Sequence, residues 1–234
     1  MLNEKQQQFT NLLQKHAQEI GKVVDFDPEK DRLFPFDFTA SNKKLSAETV
    51  ADTAAFSTWV THIIKQNHCK YGIGGYFENR TLYARSSHFD TLDEPRRLHL
   101  GIDIWGEAGT PVYTPFAGKI HSFQDNDHFG DYGATIILEH CFYGINFYAL
   151  YGHLNRASLQ DLYPGKIIQK NELIAKFGIP AENGNWPPHL HYQIMFDMEG
   201  KVGDYPGVCK FSEREKYQQN IPDPNLILRF PVQR

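Results

Sequence analysis

A mainly antiparallel β fold is the class this sequence predicts, and three observations predict it. From Lys70 onward, short apolar or alternating runs are separated by Gly, Pro, Asn and Asp, the pattern of strands joined by turns. In that region no run of helical period is long enough to serve as a crossover, which excludes parallel βαβ folds. Residues 98–105 and 189–196 alternate so that one face is apolar and the other carries histidines. The expected architecture is antiparallel, β-sandwich-like sheets forming a groove, with an N-terminal helical appendage. Its segments are 1–68 (helical), 69–200 (the β domain) and 201–234 (a C-terminal wrapping segment).

Taken in order, residues 5–24 predict an amphipathic helix, with Phe9, Leu12, Leu13, Ala17, Ile20 and Val24 at helical spacing. Residues 25–38, rich in Asp, Pro and Phe, read as an irregular connector. Ser46 is a good N-cap for a second helix to about Gln66, with Phe56, Val60, Ile63 and Ile64 as its apolar stripe. Both helices are expected to pack on the β domain, the alternative being a regulatory segment over a cleft. Residues 70–78 and 80–85 suggest a hairpin around Glu78-Asn79-Arg80. Gly72, Gly74 and Gly75 do not have phosphate-loop spacing and read as backbone accommodation in a strand. Residues 111–116 and 119–123 suggest a second hairpin, residues 135–140 and 147–153 a third around Gly144. Further strands are expected at 173–177, 189–196 and 226–230.

Bulk properties set limits. A formal charge of −4 over 234 residues gives no electrostatic case for nucleic acid or an anionic membrane as partner. No apolar run approaches the roughly 18 residues of a membrane span, and the polar N-terminus lacks the apolar core of a signal peptide. Either the protein acts in the cytoplasm, or a leader is missing from this sequence, or export takes another route. Cys69, Cys141 and Cys209 have no CxxC spacing, which argues against a disulfide framework and a thiolate metal site.

The chemistry concentrates in a few histidines. In the strand 98–105, His99 and Asp103 share a face with only Gly101 between them, a pairing of imidazole and carboxylate that suits Zn²⁺. The glycine leaves room beside them. His189-Leu190-His191 puts two imidazoles on one strand face with Gln193, opposite Leu190, Tyr192, Ile194 and Phe196. His153 stands where the strand 147–150 runs out into a loop, a place suited to a catalytic group. Trp186-Pro187-Pro188 suggests a rigid approach to His189 and a cleft wall. Tyr151 and Asn185 are candidate substrate contacts.

HLGID, YGHL and HLH, in that order, resemble the signatures of the lysostaphin-type (LytM-like) zinc metallopeptidases, and AGTPVYTPFAGKI and GDYGATIILEH resemble the segments between them. The resemblance covers residues 98–196. It implies a lysostaphin-like peptidase fold and one Zn²⁺ per chain held by His99, Asp103 and His191, with His153 and His189 as catalytic histidines. One of these would handle the proton of a zinc-activated water, and the other would donate a hydrogen bond to the oxyanion. The implied substrate is a peptide, most often in peptidoglycan cross-links or stem peptides, which would place the protein at the cell envelope or outside the cell. Latent relatives block the metal with an asparagine from a preceding segment, for which Asn42 is one candidate here. Two rivals stand beside this reading: a non-catalytic binding or regulatory module on the same fold, and a zinc hydrolase acting on a non-peptidoglycan peptide.

Overall fold

The computed structural model describes residues 3–81 and 94–231. The predicted strand 80–85 and His88 therefore lie largely or wholly outside the described residues. The first helix, α1 (Glu4–Lys15), opens on a capping box in which Asn3 accepts from the Gln6 N–H at 2.8 Å and Gln6 returns the bond to the Asn3 N–H. Its buried Phe9 and Leu13 join the main core, with Phe9 5.0 Å from Phe147 and 5.4 Å from Phe196. The helix is shorter than the apolar spacing predicts. After a 3-10 turn at Ala17–Glu19 the chain runs irregularly, and Ile20, Val23 and Val24 reach the same core without helical geometry. Hydrogen bonds explain the change: Gly21 N–H donates to Pro115 O at 2.8 Å, and Val23 O accepts from Tyr113 N–H at 2.8 Å.

The segment 33–74 forms one crossover, β1 (Leu33–Phe36), α2 (Ala47–Ala51), α3 (Thr53–Gln66) and β2 (Tyr71–Gly74), with β1 and β2 parallel. The exclusion of parallel βαβ folds concerns the region from Lys70 onward and does not extend to this one unit, whose helices lie before Lys70. Pro35 is tolerated because β1 is an edge strand. Asp52 splits the expected single helix, ending α2 and capping α3 by accepting from Ala55 N–H at 2.8 Å.

The remaining strands are β3 (Leu98–His99), β4 (Ile102–Trp105), β5 (Pro111–Tyr113), β6 (Gly118–Asn126), β7 (Gly133–Phe142), β8 (Ile145–Leu154), β9 (Ile167–Ile168), β10 (Leu173–Lys176), β11 (His189–Met195) and β12 (Val208–Cys209). Eight form one sheet in the order β1-β2-β4-β11-β8-β7-β6-β9, antiparallel except for its first pair. The ribbons β10–β5 and β12–β3 complete a mainly β fold. The hairpin around Gly144 forms as expected, as β7–β8. That of 111–116 with 119–123 does not. Pro115 has no N–H for a ladder, so β5 pairs with β10 while β6 pairs with β7 and β9.

The expected C-terminal strand is instead the short helix α5 (Asn225–Leu228), started by Asp223, which accepts from Asn225 N–H at 2.8 Å. A short apolar run does not by itself distinguish strand from helix. The helix α4 (Arg214–Asn220) also stands where wrapping loops were expected.

The main core lies on one sheet face, holding Ile102, Ile104, Tyr151, Leu190, Tyr192 and Ile194. The other face carries a cluster of Leu98, Leu100, Leu150 and Met195 under Met198, Tyr205 and Tyr217. A third cluster packs α2 and α3, with Phe36 and Phe38, behind Trp105 and Trp186. The run 98–105 is thus not one continuous strand. It breaks at Leu100-Gly101, and its two leucines and two isoleucines fall into different cores.

Candidate metal centre

Strand register builds the centre. Asp103 on β4 lies directly across from His191 on β11, and Trp105 directly across from His189. His99 comes in from the separate ribbon, because the chain bends at Gly101. That glycine does more than leave space for an ion. A Cβ there would come within 2.6 Å of the His191 ring and 2.9 Å of Tyr192 O.

Three ligand atoms converge. His99 Nε2 is 3.0 Å from His191 Nδ1, Asp103 Oδ1 is 3.0 Å from His191 Nδ1, and His99 Nε2 is 3.2 Å from Asp103 Oδ1. Among the described residues, this is the one group of three or more His, Cys, Asp or Glu arranged to hold a metal ion. The outer ring nitrogens identify the protons. His99 Nδ1–H donates to Gly75 O at 2.8 Å, and His191 Nε2–H to Gln193 Oε1 at 3.0 Å. Gln193 is itself oriented by donating to Pro206 O at 3.1 Å. Both inward nitrogens then present lone pairs to a carboxylate oxygen. Three such donors fit a cation: ligands about 2.05 Å from a tetrahedral Zn²⁺ are about 3.3 Å apart.

Burial for His99, and neighbouring charge for Asp103, keep these two groups in the states a metal needs. Desolvation pushes the His99 imidazole down to about 3, with the Arg80 guanidinium adding to the effect. Burial alone would raise Asp103, but His99 and Arg80 outweigh it and hold the carboxyl well below its usual range.

His153 and His189 stand beside the three. The ring of His189 stacks on Trp105 at 3.9 Å and 11°, and the ring of His153 lies 4.0 Å from it, tilted by 31°. Each donates Nδ1–H to a backbone carbonyl, His153 to Asn183 O at 2.8 Å and His189 to Pro187 O at 2.7 Å. Their Nε2 lone pairs are therefore free, and neither neutral ring has an N–H left to give an oxyanion. A donor role follows only after one has taken up a proton. Burial lowers both, His189 to about 4 and His153 well below the usual imidazole range, with the neighbouring His189 adding to the effect on His153.

Strand alternation would send His153 into the core with Tyr151. A register shift in β7–β8 and a positive φ of 62° turn it to the cleft instead. Its N–H donates to Tyr132 O and its carbonyl accepts from Gly178 N–H, which fixes that conformation.

The cleft is lined by the four residues Asp103, His153, His189 and His191, by Trp105, Trp186 and Tyr132, and by residues 204–208. Trp186 is thus a wall, as its Trp-Pro-Pro setting suggests. Tyr151 is not a substrate contact, being fully buried in the main core, and Asn185 does not line the cleft. Asn42 is no plug: its side chain donates to Asp37 O at 2.8 Å in a local turn. No residue of 3–68 lines the cleft; α2 and α3 pack behind its two tryptophans. Sequence reasoning missed Arg80, Tyr132 and the wall at 204–208. The available hint was the glycine at 207, where a Cβ would strike the Tyr132 hydroxyl.

Residues 97–202 match the family model described as Peptidase family M23. Over 132 residues the chain is 29% identical to the L-Ala–D-Glu endopeptidase of Bacillus subtilis (strain 168), a match covering 53% of this chain and 38% of the relative. The chain thus spans about two-fifths of that relative's length. Among solved structures, the catalytic domain of the antimicrobial peptidase lysostaphin from Staphylococcus simulans is 22% identical, with a TM-score of 0.43, covering 74% of this chain and 98% of that one. A zinc-containing peptidase from Vibrio cholerae is 24% identical, with a TM-score of 0.33, covering 42% of this chain and 27% of that one. No described helix is long and apolar enough to cross a membrane.

Proposed function

We propose that this protein, whose residues 97–202 match the model of peptidase family M23, is a zinc-dependent endopeptidase that hydrolyses a peptide bond in peptidoglycan stem peptides or cross-links. The observation that carries the reading is the convergence of His99 Nε2, Asp103 Oδ1 and His191 Nδ1 within 3.2 Å of one another. Two histidines with free Nε2 atoms stand beside them in the same cleft. The name of the Bacillus relative, L-Ala–D-Glu endopeptidase, supports a bond of the stem peptide.

Held by those three side chains, a zinc ion supplies Lewis acidity at a scissile carbonyl and lowers the pKa of a water from about 15.7 towards about 7. The chain's own residues do the proton work. His153 and His189 are neutral at pH 7 because burial disfavours their charged forms. An Nε2 of this pair takes the proton of the attacking water. The resulting imidazolium, acidic for the same reason, gives that proton to the leaving amine. Trp105 and Trp186 hold the pair in place and keep bulk water from it.

Purified peptidoglycan digested with the zinc-loaded and the chelator-treated protein, followed by mass spectrometry of the fragments, tests the reading. New peptide termini are expected with the loaded protein alone. Intact muropeptides with loaded, folded protein would remove peptidoglycan as substrate, and cleavage of unrelated peptides by the same sample would then favour a different peptidase specificity.

A further inference from the structure

Asp103 turns only one oxygen towards the histidines. The other, Oδ2, accepts a hydrogen bond from Nη1 of Arg80. Arg80 is 1% exposed, and it is gripped from its far side: its Nε–H donates to Glu78 Oε2 at 2.7 Å. Glu78 in turn accepts the Phe38 N–H through Oε1 at 2.9 Å. The guanidinium lies over the Phe38 ring at 5.2 Å. Gly74, the cross-strand neighbour of Asp103, has no Cβ, which at that position would come within 2.4 Å of the guanidinium. The glycine reserves the space beside the carboxylate for Arg80.

Burying a guanidinium is costly unless charge and hydrogen bonds compensate it. Apolar packing alone would not call for one here, beside the rings of Phe38 and Trp105. What it does supply is a rigid planar fork that can hold two carboxylates at once. We propose that Arg80 is a positioning residue of the metal centre: by occupying Oδ2 it holds Asp103 as a one-oxygen ligand, and Glu78 and the Phe38 N–H hold Arg80 in turn. The inference rests on the metal-centre reading above. With Oδ2 committed, His99, Asp103 and His191 present three donor atoms and leave the remaining position to substrate or water. A freed Oδ2 would compete for that position. Phe38, in the N-terminal segment, thereby acts on the centre without entering the cleft.

Cobalt(II) is the probe, because its visible absorption is strong in four-coordinate sites and weaker when a fifth ligand joins. The full chain is loaded with one equivalent of cobalt, and the spectrum is compared with those of Arg80→Gln, Arg80→Lys and Glu78→Gln, each checked for folding by circular dichroism. The wild type is expected to show the strong absorption, and Arg80→Gln a several-fold weaker one. Arg80→Lys should recover part of it, because its single ammonium keeps the charge but not the fork. Glu78→Gln leaves Arg80 in place and should weaken the band in the same direction by less, which keeps the proposal testable if Arg80→Gln does not fold. Unchanged spectra in the folded variants would make Arg80 a structural ion pair only and overturn the proposal. Failure of the wild type to bind cobalt one to one would instead overturn the metal-centre reading, and this inference with it.

Discussion

Replacing Gly101 with alanine perturbs the centre through a single methyl group. The backbone at Gly101 is not left-handed, so alanine costs nothing in conformation, and any effect must come from contact. Its Cβ would lie 2.6 Å from both Cε1 and Nε2 of His191 and 2.9 Å from Tyr192 O. Ordinary contact begins at 3.4 Å, so the ring must retreat by about 0.8 Å. It has little room to do so, with Nε2 held by Gln193 at 3.0 Å and the Tyr132 hydroxyl 3.4 Å away. Metal sites tolerate about 0.2 Å in ligand distance, and displacements near 1 Å cost about 100-fold in precisely positioned sites. Zinc affinity, measured by competition with a chromophoric chelator, should therefore fall at least about 100-fold. Overpacking should cost about 1–3 kcal/mol of stability, read by urea denaturation. Zinc affinity equal to wild type in a folded Gly101→Ala would refute the close packing of His191 against Gly101.

Other outcomes follow from the same geometry. His153→Ala should keep zinc but lose about 10²- to 10⁴-fold in turnover; near-normal turnover would remove His153 from the proton path. Zinc at 1,000 times its Kd should stabilise the fold by about 4 kcal/mol, raising Tm by roughly 8–16 °C for a chain of this size, and chelation should reverse the shift. Acid should destabilise the fold through His140, 2% exposed, which burial holds down at about 4. Its folded value lies below its unfolded value of about 6.5, so the unfolded chain binds more protons as pH falls. Stability is full above pH 6.5 and lost between there and about pH 4, by about 3 kcal/mol. Metal-free His140→Phe should show a correspondingly shallower loss in urea titrations at pH 7 and 4.5; an identical loss would exclude His140 as its source.

The alternation of β11 was enough to put His189, His191 and Gln193 on one face and Leu190, Tyr192 and Ile194 on the other, because both faces of that strand are buried and one is wholly apolar. The same rule fails for 98–105, where Gly101 bends the chain between two sheets, and for His153, whose positive φ overrides strand parity. In both places backbone geometry set by distant hydrogen bonds decides, and a period-2 pattern carries no record of it. The centre's supports were hidden for a related reason. Arg80 lies 23 positions from Asp103, and Pro206 lies 13 from Gln193. Their partners are fixed only once β2, β4 and the segment 204–208 come together. The crossover of β1, α2, α3 and β2 was obscured by a division of the chain at residue 68, just before the strand that completes it.

The central claim is that His99, Asp103 and His191 together bind one zinc ion. Equilibrium dialysis against zinc, with metal content measured by mass spectrometry, tests it most directly on wild type and on His191→Ala. One zinc per chain in the wild type and a near-complete loss in a folded His191→Ala is the predicted result. Retention of one zinc per chain by His191→Ala, at unchanged affinity, would contradict it.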